Sequence, residues 1–340
     1  MAEDEGLVEL SEPAGGSSQR GGSLRRLERD TLVAAIILVL GTLLIWLWQP
    51  AFFQSGNISN VLLQAGILGV VTLGQTMVLL VAGIDLSVAA VMSASLVVIA
   101  SLSRVGGLSL MWIVLAALAL GVLVGLVNGL LVAYKGVAPF ITTLGMAAVV
   151  GGAQLAYTKG SPAGTVPDSL RPLGLDGVGL VPYAAMVWLG VAVLLWALLR
   201  LTTFGRHLYA TGTSPKVAAR AGVRVRLVTL STYVACGLLA AAAGVILSAY
   251  VGYVDPGVGL GYDLDSIAAA VVGGVAFTGG RGGVVGACAG VLLLTVLLNL
   301  VILAGVDPNM QLVVRGVVIV IALAIVAFRF SDAHRQRRMQ

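Results

Sequence analysis

The chain has 340 residues, of which 59% are hydrophobic and only 10% are charged, and its formal net charge is +5. Because soluble domains carry about 25% charged residues, this composition excludes a water-facing globular fold. Repeated apolar runs of at least about 18 residues, each able to cross a bilayer core of about 30 Å as a helix, instead predict an all-α polytopic membrane protein.

The two ends of the chain are polar. Five acidic residues between positions 3 and 12 precede a Gly-Gly-Ser-Ser stretch and four arginines between positions 20 and 29. Residues 1–30 are therefore predicted to be a disordered cytoplasmic tail that ends in a basic anchor. A signal peptide is not favoured, because the apolar run that follows is too long and no small-residue cleavage site comes after it. Residues 331–340 are predicted to form a basic cytoplasmic tail.

Ten transmembrane helices are predicted within a membrane domain over residues 31–330. The second and third must be separate helices, because residues 60–103 as one helix would extend about 66 Å at about 1.5 Å per residue. The break is placed near Gly83 and Asp85, where glycine weakens the helix and the carboxylate can cap the next one. The ten predicted spans are 31–48, 60–82, 86–103, 109–134, 139–157, 181–199, 227–249, 263–280, 283–304 and 310–328.

The orientation follows from the positions of Lys and Arg. With the N-terminus in the cytoplasm, sixteen of the 20 basic residues fall on the cytoplasmic side, whereas Arg104, Lys159 and Arg171 fall outside and Arg315 lies in the last span. This asymmetry favours an even number of spans with both termini cytoplasmic.

Glycines spaced four residues apart form two ladders, at positions 121, 125 and 129 and at positions 282, 286 and 290. Such ladders permit close crossing of helices. Packing within the subunit explains them, and a dimer interface is the alternative.

The longest inner loop, residues 200–226, contains signals for a short helix outside the membrane. Ser214 suits the N-cap, Pro215 suits the first helical position and Gly222 suits the C-cap, so a helix is predicted from about 215 to 221. Its small central residues, Val217, Ala218 and Ala219, suit docking into a groove of a partner protein. A basic connecting loop that only obeys the positive-inside rule is the alternative.

Four segments, in order along the chain, resemble the ribose-type permeases of ATP-binding-cassette (ABC) importers. They are residues 83–87 (GIDLS), 139–146 (PFITTLGM), 205–223 (GRHLYATGTSPKVAARAGV) and 261–282 (GYDLDSIAAAVVGGVAFTGGRG). The resemblance extends over residues 30–328, with departures at Ala89, Ala90, Asp263 and Arg315. It implies a multi-pass permease subunit in a bacterial inner (cytoplasmic) membrane, which carries a neutral sugar, such as a pentose, a hexose or a related polyol, by alternating access.

The chain lacks an ATP site of its own. A phosphate-binding loop needs Gly-Lys-Ser/Thr, whereas Lys135, Lys159 and Lys216 follow Tyr, Thr and Pro. The chain is therefore not predicted to be an enzyme. The resemblance implies an ABC ATPase subunit that holds ATP and Mg, a periplasmic or lipid-anchored solute-binding protein, and a second permease subunit in a homodimer or a paralogous heterodimer. The implied ATPase-coupling residues are Gly205, Arg206, Tyr209, Ala210, Gly212, Ala218, Ala219, Arg220 and Gly222.

Polar residues within the spans are candidates for the translocation pathway, because polar groups are costly in hydrocarbon. Almost all are neutral, which suits a sugar better than an ion. Hydrogen bonds between helices explain each of them individually. The candidates are Gln64, Gln75, Asp85, Asn128, Thr142, Thr143 and Asn299.

Three aspartates have structural alternatives to a functional role. Asp85 is interpreted as an N-cap rather than as a substrate ligand. Asp263 and Asp265 open the eighth span at the outer side, where helix capping and a favourable position in the helix dipole explain them. Contact with the binding protein or an outer gate is the alternative for these two residues.

Other functions remain open from the sequence. An ABC permease for branched-chain amino acids or nucleosides is the nearest alternative. An ion-coupled secondary transporter would need buried carboxylates near the middle of the membrane, whereas the sequence places every span-associated aspartate near a span end. A membrane scaffold without transport activity would leave the inner loop unexplained.

Overall fold

The computed structural model describes residues 47–160, 164–253, 255 and 257–307, and the single positions 310, 313, 316, 317 and 320. The described residues 47–53, which include the 3-10 helix Pro50–Phe53, belong to one unit, and the described residues from Gln54 onward belong to a second. The predicted tails lie outside the described residues, as do nearly all of the spans predicted over 31–48 and 310–328.

The second unit is built almost entirely from α-helices. Among the described residues, seven helices are long and apolar enough to cross a membrane, namely α1, α2, α3, α4, α6, α9 and α11. They confirm seven predicted spans, and each helix end lies within five residues of its predicted position. The helices are α1 Ser55–Leu80, α2 Val88–Val105, α3 Leu110–Ala133, α4 Pro139–Thr158, α5 Arg171–Leu175, α6 Tyr183–Leu201, α7 Thr203–Thr213, α8 Pro215–Arg220, α9 Val225–Val251, α10 Tyr262–Val272 and α11 Val284–Leu303.

The eighth predicted span, 263–280, is wrong as a single membrane-crossing helix. Helix α10 has 11 residues, which extend about 16 Å at about 1.5 Å per residue. It ends at a Gly-Gly pair, where Gly274 has a φ of 90°. The N–H groups of Gly274 and Val275 donate to the carbonyls of Val271 and Ala270 at 2.9 and 3.0 Å, which is the Schellman pattern that terminates helices. Residues 273–283 therefore continue without helix.

Helices α1 and α9 form the centre of the unit. Helix α9 packs against α1, α2 and α3, and α1 also packs against α6, α10 and α11. Most of α1 is buried. Helix α4, in contrast, buries only Thr142, Thr143, Gln154 and Thr158, so most of its surface is open.

The glycine ladders mark close contacts inside the subunit. On α3, a Cβ at Gly121 or Gly125 would overlap the backbone carbonyls of Gly237 and Tyr233 on α9. On α11, Gly286 and Gly290 face the backbone of α10. Packing within the subunit thus explains the glycines at 121, 125, 129, 286 and 290, because helices can approach this closely only without side chains.

The long loop between α4 and α6 is more ordered than its prolines suggest. It contains the 3-10 helix Asp168–Leu170, helix α5 and an antiparallel hairpin of β1 (Gly177–Val178) and β2 (Val181–Pro182), in which Val178 pairs with Val181. Arg171 donates to the carbonyl oxygens of Ala249 and Tyr250 at 2.9 and 3.1 Å. A cation at the end of α9 stabilises the unpaired carbonyls there.

Candidate coupling loop and helix break

The short helix predicted in the inner loop is present as α8. Ser214 occupies the N-cap and accepts the Val217 N–H at 3.5 Å, and Pro215 occupies the first turn. At the other end, Gly222 has a φ of 83° and Val223 N–H donates to Ala218 O at 3.0 Å. The helix ends one residue earlier than predicted, because its C-cap is Ala221 and not Gly222. Gly222 is the residue after the C-cap, where a left-handed conformation favours glycine.

A second helix, α7, precedes α8 and was not expected from the sequence. The Thr202 hydroxyl caps it by accepting the Gly205 N–H at 3.4 Å. Its buried residues, Gly205, Leu208, Thr211 and Gly212, recur every three or four residues and form one face. The two glycines lower helix propensity and obscure the helix in the sequence, whereas Thr202 and the spacing of the buried face are the signals that indicate it.

The predicted coupling residues divide into a buried set and an exposed set. Gly205, Gly212 and Ala218 are buried, whereas Tyr209 and Ala210 are half-buried. The remaining coupling residues are exposed, and so is the side chain of Val217. We call Val217, Ala219 and Arg220 the α8 surface. Residues 200–226 contain six Lys or Arg and no Asp or Glu, so this surface lies on a positively charged loop. The exposed coupling residues are Arg206, Ala219, Arg220 and Gly222.

Helix α7 is attached to the glycine-rich turn that follows α10. The Tyr209 hydroxyl donates to Gly282 O at 3.0 Å. Burial raises the pKa of the Tyr209 phenol, and the charge of Arg200 opposes this only partly, so the phenol stays a donor at neutral pH. Further along α7, Gly212 lies directly against the Leu80 carbonyl and the Gly280 amide.

The break between α1 and α2 occurs where it was predicted, over residues 81–87. The N-cap of α2 is Ser87 rather than Asp85, so the capping role predicted for Asp85 is wrong by two residues. Asp85 Oδ1 instead accepts the Ser87 N–H at 2.9 Å and the Ser87 hydroxyl at 2.6 Å. This bond from an aspartate to the amide two residues later closes an Asx-type turn.

Four of the seven predicted pathway residues meet at this break. The Gln75 amide pairs with the backbone C=O and N–H of Asp85 at 3.1 and 3.2 Å. Asn128 on α3 donates to Ser87 Oγ at 2.9 Å. From α4, Thr143 Oγ1 accepts the Leu86 N–H at 3.1 Å. We call Gln75, Asp85, Ser87, Asn128 and Thr143 the break cluster.

The other predicted pathway residues lie elsewhere. Gln64 donates to Asn60 Oδ1, one turn away on α1, at 3.3 Å. Asn299 on α11 exchanges two amide hydrogen bonds, both 3.0 Å, with Asn57 on α1. Thr142 is buried. The hydrogen bonds of Asn299, Asn128 and Thr143 connect separate elements of the fold. They therefore agree with the alternative to a pathway role, in which polar residues join helices by hydrogen bonds.

The two predicted outer aspartates both lie in the first turn of α10. The N-cap is Gly261, whose φ is 93°, so neither aspartate caps the helix, although both occupy the turn in which the helix dipole favours anions. Asp265 is buried, whereas Asp263 is half-buried. Of the two, only Asp263 offers surface to another protein.

The long apolar helices and the closely packed glycines between them define a multi-pass membrane protein. The family described as the permease component of branched-chain amino acid transport systems matches residues 57–323, and the chain belongs to this family. It is therefore a permease subunit.

Individual relatives match over most of their length. The ribose import permease protein RbsC of Escherichia coli K12 is 36% identical over 303 residues, which cover 88% of this chain and 93% of that protein. RbsC of Bacillus subtilis is 37% identical over 291 residues, or 85% and 90%. The fructose import permease protein FrcC of Rhizobium meliloti is 35% identical over 282 residues, or 81% and 78%. These matches confirm the resemblance to ribose-type permeases. No solved structure matches the chain.

Proposed function

We propose that this chain is the permease subunit of an ABC importer for a neutral sugar, located in a bacterial inner membrane. The observation that carries the proposal is the α8 surface, a capped short helix on a basic loop whose neighbour α7 contacts the end of α1. The names of the relatives, which import ribose, galactose or fructose, support the sugar.

The interior supports an uncharged substrate. Among the described residues, the buried polar side chains are hydroxyls and amides, apart from Asp85 and Asp265. Hydroxyl and amide side chains can exchange hydrogen bonds with the hydroxyl groups of a neutral sugar.

Ten membrane crossings with both termini cytoplasmic remain our proposal for the topology, the eighth made by α10 together with the non-helical residues 273–283 rather than by one helix. Three segments that this topology assigns to the cytoplasmic side, namely the end of α1, the end of α7 and the 279–283 turn, contact one another. On the opposite side, Asn57 near the start of α1 bonds to Asn299 near the end of α11. Both contacts agree with alternating helix directions.

The proposed complex contains two ATPase subunits that bind ATP and Mg, an external solute-binding protein and a second permease subunit. Closure of the ATPases on ATP moves the α8 surface, and α7 passes the motion to Leu80 and the break cluster. Thr143 then connects the break to α4, whose open surface we assign to the pathway. In this mechanism the break cluster positions helices, Thr142 and Gln64 remain candidates for sugar contact, and Asp263 is the candidate for contact with the binding protein.

Branched-chain amino acids are the second candidate substrate, because the description of the matching family names them. The test is ATPase activity of the complex reconstituted in proteoliposomes with its own binding protein. Stimulation by binding protein loaded with ribose or another neutral sugar, with ATP-dependent uptake, is the expected result. Stimulation by leucine but not by sugars would reverse the order of the candidates, and uptake that needs no ATP but collapses with an uncoupler would indicate an ion-coupled transporter.

A further inference from the structure

The carboxylate of the helix break is buried in the protein interior. Asp85 is 1% exposed, and it lies against Tyr233 and Cys236 of α9. These two residues are the ninth and twelfth of α9, so they lie about 12 and 16 Å from its start at about 1.5 Å per residue. Asp85 nevertheless lies near two span ends, as the sequence predicts, between the end of α1 at Leu80 and the start of α2 at Val88.

The oxygens of the Asp85 carboxyl group are not equally satisfied. Oδ1 accepts two hydrogen bonds from Ser87, whereas Oδ2 is buried without a well-formed hydrogen bond, although the Asn128 amide and the Cys236 thiol lie close enough to the carboxyl to interact with it. Asn128, which donates to Ser87 and also lies beside the Asp85 carboxyl, has a buried Oδ1 that likewise lacks a donor. Two buried oxygens of the break cluster therefore accept no hydrogen bond, and leaving both without a donor costs free energy.

The groups that face Asp85 from the described residues offer no counter-charge. Helix α1 contributes the amide of Gln75, α3 contributes the amide of Asn128, and α9 contributes the neutral phenol of Tyr233 and the neutral thiol of Cys236. None of these groups is a cation. An ionised Asp85 would thus be a buried charge without an ion-pair partner, which is strongly unfavourable.

We propose that Asp85 binds a proton at neutral pH and is held as a neutral acid, with its Oδ2–H donated to Oδ1 of Asn128. One proton then satisfies both unpartnered oxygens and removes the buried charge. The break cluster becomes a neutral network in which every polar group has a partner. The proton is a static part of the fold, so transport does not require Asp85 to ionise.

Infrared difference spectroscopy of the purified full-length chain tests this directly. In the spectrum of Asp85→Asn minus wild type at neutral pH, we expect loss of a carboxylic-acid C=O band and no loss of carboxylate bands. The matched control is Asp263→Asn, which removes the carboxyl of a half-buried aspartate elsewhere in the chain and should leave the acid band assigned to Asp85 in place. If Asp85→Asn lost carboxylate bands instead, Asp85 would be ionised and the proposal would be overturned, with water or a sodium ion then supplying the partner of Oδ2.

Stability gives a second readout. An asparagine at position 85 can donate its N–H to Asn128 Oδ1 in place of the acid O–H, so Asp85→Asn should keep the thermal midpoint of the wild type. Asp85→Leu has a similar size but no polar atoms and should lower it. Equal loss in both variants would overturn the proposal, because it would mean that the charge itself is needed. If both variants fail to fold, the wild-type chain can be labelled with carbon-13 in the aspartate carboxyl groups. A carboxylic-acid C=O band that shifts on labelling is then expected, and the absence of such a band would refute the proposal.

Discussion

The amide N–H of Gly280 donates to the carbonyl oxygen of Leu80 at 2.9 Å, and this bond joins the last residue of α1 to the turn after α10. Gly212 of α7 packs against both groups. The Leu80 carbonyl is one of the orphan acceptors that a helix leaves at its C-terminus. The turn satisfies it, and the contact brings the loop between α6 and α9 to the point where α1 ends.

The first prediction concerns this contact. A Cβ at Gly212 would overlap the Leu80 carbonyl and the Gly280 amide, so Gly212→Ala must push α7 away from α1. We expect a loss of about 1–3 kcal/mol of stability, as is usual for overpacking, and a larger loss of coupled uptake.

The matched control for Gly212→Ala is Gly190→Ala on α6, where nothing lies within 4 Å of the added Cβ. This variant should be as stable as the wild type or slightly more so, because alanine favours helix. The measurements are the thermal midpoint and ATP-driven uptake in proteoliposomes. Equal behaviour of the two variants would show that the contact between Gly212 and Leu80 has no role in coupling.

The second prediction separates the α8 surface from the fold. Ala219 is exposed, so Ala219→Trp should leave the thermal midpoint of the isolated permease unchanged. In the full complex, the bulky side chain should block the docking of the ATPase and reduce substrate-stimulated ATP hydrolysis and uptake together. Val193→Trp, on an exposed position of α6, is the control and should retain both activities. Full coupling in Ala219→Trp would contradict the assignment of the coupling loop.

Much of the fold could be predicted from the sequence because membrane helices are long apolar runs. Hydropathy misled the prediction in two places, one where an apolar segment is not helical throughout and one where a helical segment is not apolar. Residues 263–280 are apolar along most of their length, but the Gly273-Gly274 pair ends the helix at Val272, and hydropathy does not register a backbone turn. Conversely, α7 contains glycines and polar residues and forms because its buried face packs on the rest of the protein.

The candidate site was only partly predictable, for a different reason. The sequence marks Gln75, Asp85, Asn128 and Thr143 as polar residues in apolar surroundings, but it does not reveal their partners. Their hydrogen bonds connect residues as far apart in the chain as Leu86 and Thr143. Such pairing depends on which helices become neighbours, and that is decided by packing over the whole unit.

The third prediction concerns the bond between α11 and α1. Asn57 and Asn299 exchange two amide hydrogen bonds, and replacing Asn299 leaves the half-buried amide of Asn57 without this match. Asn299→Leu should therefore destabilise the permease by about 1–3 kcal/mol. The double variant Asn57→Leu with Asn299→Leu should be less destabilised than the sum of the single variants, because the unmatched amide is then removed. Strict additivity in thermal or denaturant unfolding would argue against a direct pair.

The fourth prediction uses two adjacent threonines on α4. Thr143 Oγ1 accepts the Leu86 N–H and bonds to backbone carbonyls of Ile84 and Pro139, whereas the buried hydroxyl of Thr142 has no partner. Thr143→Val keeps the side-chain shape but leaves the Leu86 N–H unsatisfied, so we expect a loss of about 1–3 kcal/mol of stability.

Thr142→Val is the matched control, because the same change at the neighbouring position removes only an unpartnered hydroxyl. It should be neutral or slightly stabilising, since an unsatisfied buried polar group is itself costly. Transport distinguishes a structural role of Thr143 from a coupling role. If Thr143 connects the break to α4, then Thr143→Val should reduce uptake per ATP hydrolysed, whereas a purely structural residue would lower the amount of folded permease and leave that ratio unchanged. Loss of uptake in Thr142→Val without loss of stability would instead identify Thr142 as a residue that contacts the sugar.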